Sequence, residues 1–169
     1  MTPIQDTLFI ALRAFILSLI QNIQVVQGLG NGVPMPVSRF VCMTANSQAR
    51  LSTNVSSYDP VAGERDVMQP TEYSIQLDCY GPESSDYATI ISMMLRDQYG
   101  CNLLAPYECQ PLFTSDPMQV ALVNGEESYE QRWMITAVLQ FNPIVTVSQQ
   151  FADQAEVVLV SVDANFPPS

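Results

Sequence analysis

The chain has 169 residues, 47% of them hydrophobic, and a net charge of −11 from 17 acids against six arginines, with no lysine and no histidine. Its length suffices for one domain with its own core, and its apolar content excludes global disorder. So few cations exclude ordinary nucleic-acid binding, which needs a basic patch to release counterions; the missing histidine and lysine exclude Ser-His, Cys-His and Schiff-base chemistry.

The run Leu8–Ile20 is apolar, interrupted by Arg13. Its 13 residues fall short of the ~20 that span a bilayer, and no basic region precedes it as in a secretory signal. Thr2 as N-cap, Pro3 as N1 and Gln5 at N3 open a globular helix instead. A helix apolar nearly all round is expected to be buried on more than one side, against a sheet and against core or a neighbouring subunit. Gln27-Gly28-Leu29-Gly30-Asn31-Gly32 reads as a turn; it lacks the Lys-Ser/Thr of a phosphate loop. Val37–Ala45 reads as a strand, and Arg50–Tyr58 as its hairpin partner across Asn46-Ser47-Gln48. Asp59–Gln69, with Pro60 and Gly63, reads as an exposed loop.

The segment Glu72–Gly100 is the most patterned. Tyr73, Ile75, Leu77 and Cys79 alternate with Glu72, Ser74, Gln76, Asp78 and Tyr80, one apolar face and one wet face. Gly81-Pro82 stops the strand, Ser84 or Ser85 caps a helix, and Gly100 ends it. Leu104–Pro117, with three prolines, reads as irregular. Met118–Val123 and Tyr129–Phe141 form a hairpin around Asn124-Gly125, a strong turn signal. In its second arm Trp133, Ile135, Ala137, Leu139 and Phe141 form the core face. Met134 and Val138 lie on the other, too apolar for bare solvent, under another subunit or a helix of the same chain. Ile144–Val147 continues as strand or turn, Glu156–Val162 is a last strand, and 163–169 is a loose tail.

The strand end Gln76-Leu77-Asp78-Cys79-Tyr80-Gly81, leading into a helix, resembles an element of the tail and neck terminator proteins of tailed bacteriophages. The stretch Tyr129-Glu130-Gln131-Arg132-Trp133 before a long apolar strand is similar too. The resemblance spans Thr2 to Val162. It implies a non-enzymatic virion component, assembled in the host cytoplasm: a ring, hexameric in expectation, that caps the tail tube, joins it to the head connector and lets DNA through without specific binding. An acidic surface suits such a channel wall; simple solubility and a basic partner are the other readings. Another head-completion, tube or baseplate component is the nearest alternative. An acidic DNA mimic is a second, although the acids are scattered and not in blocks.

Beside the resemblance, the residues give an α+β domain spanning 1–169. An antiparallel or mixed sheet of about five to six strands carries the N-terminal helix and a central helix. No catalytic, cofactor or metal residues are expected. The four cysteines lack CxxC spacing. Cys79 reads as a buried thiol, while Cys101 and Cys109 are spaced so that a bridge is possible, though disfavoured in a cytosolic chain. Asp78 is expected to pair with Arg96 or Arg132. The interface expectation falls on Glu64, Arg65, Asp66, Glu126, Glu127, Tyr129, Arg132 and Met134; replacing Arg132 by Glu is expected to weaken a ring without unfolding the subunit.

Overall fold

The strands Phe40–Arg50, Thr71–Tyr80 and Arg132–Phe141 build the sheet that organises the molecule, a computed structural model describing residues 4–29, 34, 36–120, 122–123 and 129–150. Helix α1 (Ile4–Leu19) is followed by strands β1 (Gln24–Gln27), β2 (Phe40–Arg50), β3 (Val55–Asp59), β4 (Glu64–Met68) and β5 (Thr71–Tyr80). Helices α2 (Ser84–Leu95) and α3 (Gln98–Leu104) and a 3-10 turn (Ala105–Tyr107) come next. Strands β6 (Cys109–Thr114), β7 (Met118–Gln119), β8 (Leu122–Val123), β9 (Tyr129–Glu130), β10 (Arg132–Phe141) and β11 (Ile144–Ser148) complete the described chain.

The fold is α+β, with a mixed main sheet in the order β1-β2-β5-β10-β6 and β7 also on β10. Among the described residues only the β1–β2 pair is parallel. The central pair β5–β10 is in register along its whole length, from Arg132 opposite Tyr80 to Phe141 opposite Thr71. Its period of two sends Tyr73, Ile75, Leu77, Cys79, Ile135, Ala137 and Leu139 to one buried face. The three helices cover that face, with Leu8, Leu12, Phe15, Ile16, Ile91, Leu95 and Leu104 filling the core. Each such side chain contributes roughly 1.5–3 kcal/mol by leaving water.

Helix α1 forms as the sequence suggests; the Thr2 and Pro3 cap lies outside the described residues. It is buried on one side only, since Ile10 and Arg13 are exposed. Strand β1 was not anticipated. It is admitted by Gly28, whose N donates to the Met43 carbonyl and where an added Cβ would lie 2.3 Å from Thr44 Oγ1.

Several expectations need correction. Asn46-Ser47-Gln48 is not a turn: β2 runs through it, with a register shift between Ala45 and Ser47, and pairs with β5. Length decides this, because β5 offers ten residues of ladder to an eleven-residue β2. Strand β3 therefore pairs with β4 and not with β2. Asp59–Gln69 is correspondingly not a loop but the turn and second strand of that hairpin. The central helix ends at Leu95, and Gly100 lies inside α3, where a Cβ would sit 2.6 Å from the Met94 carbonyl oxygen. Asp97 starts α3 by accepting from Tyr99 N at 2.9 Å. Neither Ser84 nor Ser85 caps α2; the N-cap residue is Glu83. Leu104–Pro117 contains β6, an edge strand, where Pro111 costs no ladder bond on the free side. All four cysteines are free, so Cys101 and Cys109 are not bridged. The hairpin reading holds in its pairing, with Met118–Gln119 on β10 and β8 on β9. The Asn124-Gly125 turn, the Glu156–Val162 strand and the tail lie outside the described residues.

Candidate assembly surfaces

Three strands leave one end of the main sheet and form a second sheet, in the order β11-β4-β3. Pro70 and Pro143 mark where β4 gives way to β5 and β10 to β11; each lacks the N–H that would continue a ladder. Continuity is kept by Leu51 N donating to the Pro70 carbonyl and Gln69 N to the Pro143 carbonyl. All of β3 and β11 are exposed, and β4 is at most half-buried. This sheet is an arm beyond the core.

The register sorts the arm's side chains. Ser56, Val67 and Val145 form one row and Tyr58, Arg65 and Val147 the next, giving an apolar face around a half-buried arginine. The opposite face carries Val55, Met68 and Ile144 near the core, then Asp66, Glu64 and Asp59 toward the tip. Thr146 Oγ1 donates to Asp66. At the tip, Asp59 Oδ1 accepts from Val61 N at 2.9 Å and Ala62 N at 3.1 Å, and Gly63 takes φ +66° to close the turn. Val61 is left 97% exposed. Apolar surface with both sheet edges unpaired among the described residues is suited to pairing or docking.

The other end of the sheet holds a polar knot. Asp78, only 4% exposed, accepts from Arg132 Nε at 3.0 Å, Arg132 Nη2 at 2.9 Å and Gln76 Nε2 at 2.8 Å. The Arg132 guanidinium lies 5.8 Å from the centre of the Tyr80 ring, which stacks on Phe40 at 4.4 Å. The expected Asp78–Arg132 pair is therefore formed, while Arg96 pairs with Asp116 at 2.7 Å and donates to the Thr114 carbonyl. The wet face of β5 is half-buried at Glu72, Ser74 and Gln76 and buried at Asp78 and Tyr80, because these side chains shelter one another. Arg132 is committed within the chain, so its replacement acts on the fold before it acts on an interface. Beside this knot a cleft of about 680 Å³ opens between Pro36–Phe40 and Tyr80–Glu83. On its wall Glu83 accepts from Tyr87 and from Arg39. The Tyr87 hydrogen bond, then Arg39, hold the Glu83 carboxyl below its ordinary range.

The interface residues expected from sequence therefore divide into two groups. Glu64, Arg65 and Asp66 are on the arm; Glu64 and Asp66 share one exposed face and Arg65 points to the other. Arg132 and Met134 are half-buried on β10 at the opposite end, separated from the arm by the length of β10, roughly 30 Å at about 3.3 Å per strand residue. Glu126 and Glu127 lie outside the described residues, as does the Tyr129 side chain. Sequence reasoning missed the groove of about 300 Å³ between α1 and β1, lined by Asp6, Phe9, Ile10, Arg13, Val25, Gln27 and Met43. Among the described residues no cluster could hold a metal ion, and no helix is long and apolar enough to cross a membrane.

Comparison with known families matches residues 6–165 to the phage neck terminator protein family. No curated protein matches the sequence. Among solved structures, the chain is similar to the sheath/tube terminator of PVC, an extracellular contractile injection system, in its extended state. Identity is 12%, the TM-score is 0.42, and the match covers 95% of this chain and 63% of that one.

Proposed function

Because the chain belongs to the phage neck terminator protein family, we propose that it is a non-enzymatic virion subunit of the tail or neck region, working as a single domain over 1–169. In this reading copies assemble into a ring, a hexamer, that caps the tail tube and joins it to the head-connector proteins. DNA passes through the ring without specific binding. The family match supports the role, and the exposed three-stranded arm is the structural observation that supports assembly. A subunit working alone has little use for a sheet with two edges unpaired among the described residues and with Val55, Val145 and Val147 exposed; a ring uses such a surface to reach its neighbour. Glu64, Arg65 and Asp66 act there in this reading, and Met134 acts at the far end beside Arg132, which supports that surface through Asp78; Glu126, Glu127 and Tyr129 are further interface residues in this reading. The acidic balance, −11 per subunit, suits a passage that repels the phosphate backbone.

Multi-angle light scattering on the purified chain, alone and with tail tubes, followed by negative-stain imaging, tests this. The expected result is an open ring of about six subunits, free or formed on tube ends. A chain that stays monomeric and ignores tube ends refutes the reading.

A further inference from the structure

The arm and the α1–β1 groove lie at opposite ends of the main sheet. Strand β1 pairs with Phe40–Met43, the start of β2, whereas the arm departs after Arg50. Met43 and Arg50 are seven residues apart in an extended strand, roughly 23 Å, and β3 and β4 lead away from the core. The tip therefore cannot fold back onto its own groove.

The two surfaces are complementary. The tip presents Val61 on a turn fixed by Asp59, with Glu64 beside it. The groove has a floor of buried Phe9, Val25 and Met43 and an exposed apolar wall at Ile10, with Arg13 on its rim and Asp6 two helical turns earlier. Charge narrows the choice of acceptor. Of the six arginines, Arg39, Arg96 and Arg132 are held by carboxylates of their own chain. Arg65 is on the arm and Arg50 at its base. Arg13 alone stands away from the arm without a carboxylate partner among the described residues.

We propose that the β3–β4 tip of one copy docks in the α1–β1 groove of the next, Val61 against Ile10, and Glu64 toward Arg13. This rests on the ring reading and names its subunit contact. The contact is heterologous, one patch on one copy against a different patch on the next, which is the geometry that generates rings.

Mixing an Ile10→Cys chain with a Val61→Cys chain under mild oxidation tests it, with bridged peptides identified by mass spectrometry and wild-type mass measured in parallel with and without tail tubes. Mixed bridges should form in preference to like-with-like bridges. Their yield should fall about tenfold when Arg13→Glu is added to the Ile10→Cys chain, and recover when Glu64→Arg is also added to the Val61→Cys chain. Oligomers without mixed bridges, or a yield indifferent to Arg13→Glu, overturn the proposed contact and leave the ring intact. Failure to assemble even on tube ends overturns the ring, and the contact with it.

Discussion

At the scale of single residues, the polar knot carries the sharpest expectation. Asp78 is buried with three donated hydrogen bonds, so removing the cation leaves a carboxylate that cannot be hydrated. Arg132→Glu should cost about 3 kcal/mol and bring a second negative charge to the same spot. Urea unfolding followed by Trp133 fluorescence measures this. An unchanged midpoint would mean that the pair contributes nothing to the fold. The cysteines give a second expectation. Burial pushes the Cys79 and Cys109 thiols up to about 12 and raises that of Cys42. Native protein treated with iodoacetamide should therefore be labelled only at Cys42 and Cys101, and at all four in urea, as read by mass spectrometry. The same shifts set a pH dependence. The folded state keeps these protons between the ordinary thiol value and about 12 while the unfolded chain loses them, so stability is full below the ordinary value and falls as pH rises through that window. Denaturation midpoints measured across alkaline pH should decline accordingly.

Among the elements, the α2–α3 corner and the arm can be tested separately. Gly100→Ala places a methyl group 2.6 Å from the Met94 carbonyl oxygen and should destabilise by about 2 kcal/mol through overpacking, read in a thermal melt. The arm is an insertion between register partners, since Arg50 stands opposite Thr71. Replacing 51–70 by a two-residue turn should leave a core that melts within a few degrees of the parent by circular dichroism and that no longer assembles. Much of this architecture was legible. Strands β5 and β10 announced themselves because a full alternation over ten residues admits one buried face, and α1 because its apolar run was too short for a membrane. The arm was legible only in part: Arg50–Tyr58 and Ile144–Val147 read as strand, but β4 and the pairing did not, because Val55–Asp59 is wholly exposed and Glu64–Met68 at most half-buried, so their alternation carries little burial signal. The β2 register was misread because Asn46-Ser47-Gln48 looks like a turn locally and is overruled by ladder pairing with β5. The α1–β1 groove joins residues from a helix, an edge strand and its neighbour, and no spacing along the chain reports that.

The whole molecule has its arm at one end and its polar knot and groove at the other, with a strongly acidic balance throughout. Such a chain should not shift duplex DNA in an electrophoretic mobility assay at about 150 mM salt, where non-specific binding depends on cations it lacks. A shift there would argue against a passive passage. The position of β10 in the main sheet has one more consequence. It lies between β5 and β6, yet it is the last of that sheet's described strands to be synthesised. As the chain leaves the ribosome, the β2–β5 ladder forms with its inner edge bare and Leu77 and Ile75 without partners, and β6 waits without a neighbour. The sheet closes only when the residues up to Phe141 have emerged. Throughout that interval the nascent chain offers an open strand edge, the surface that chaperones shield and through which incomplete chains aggregate.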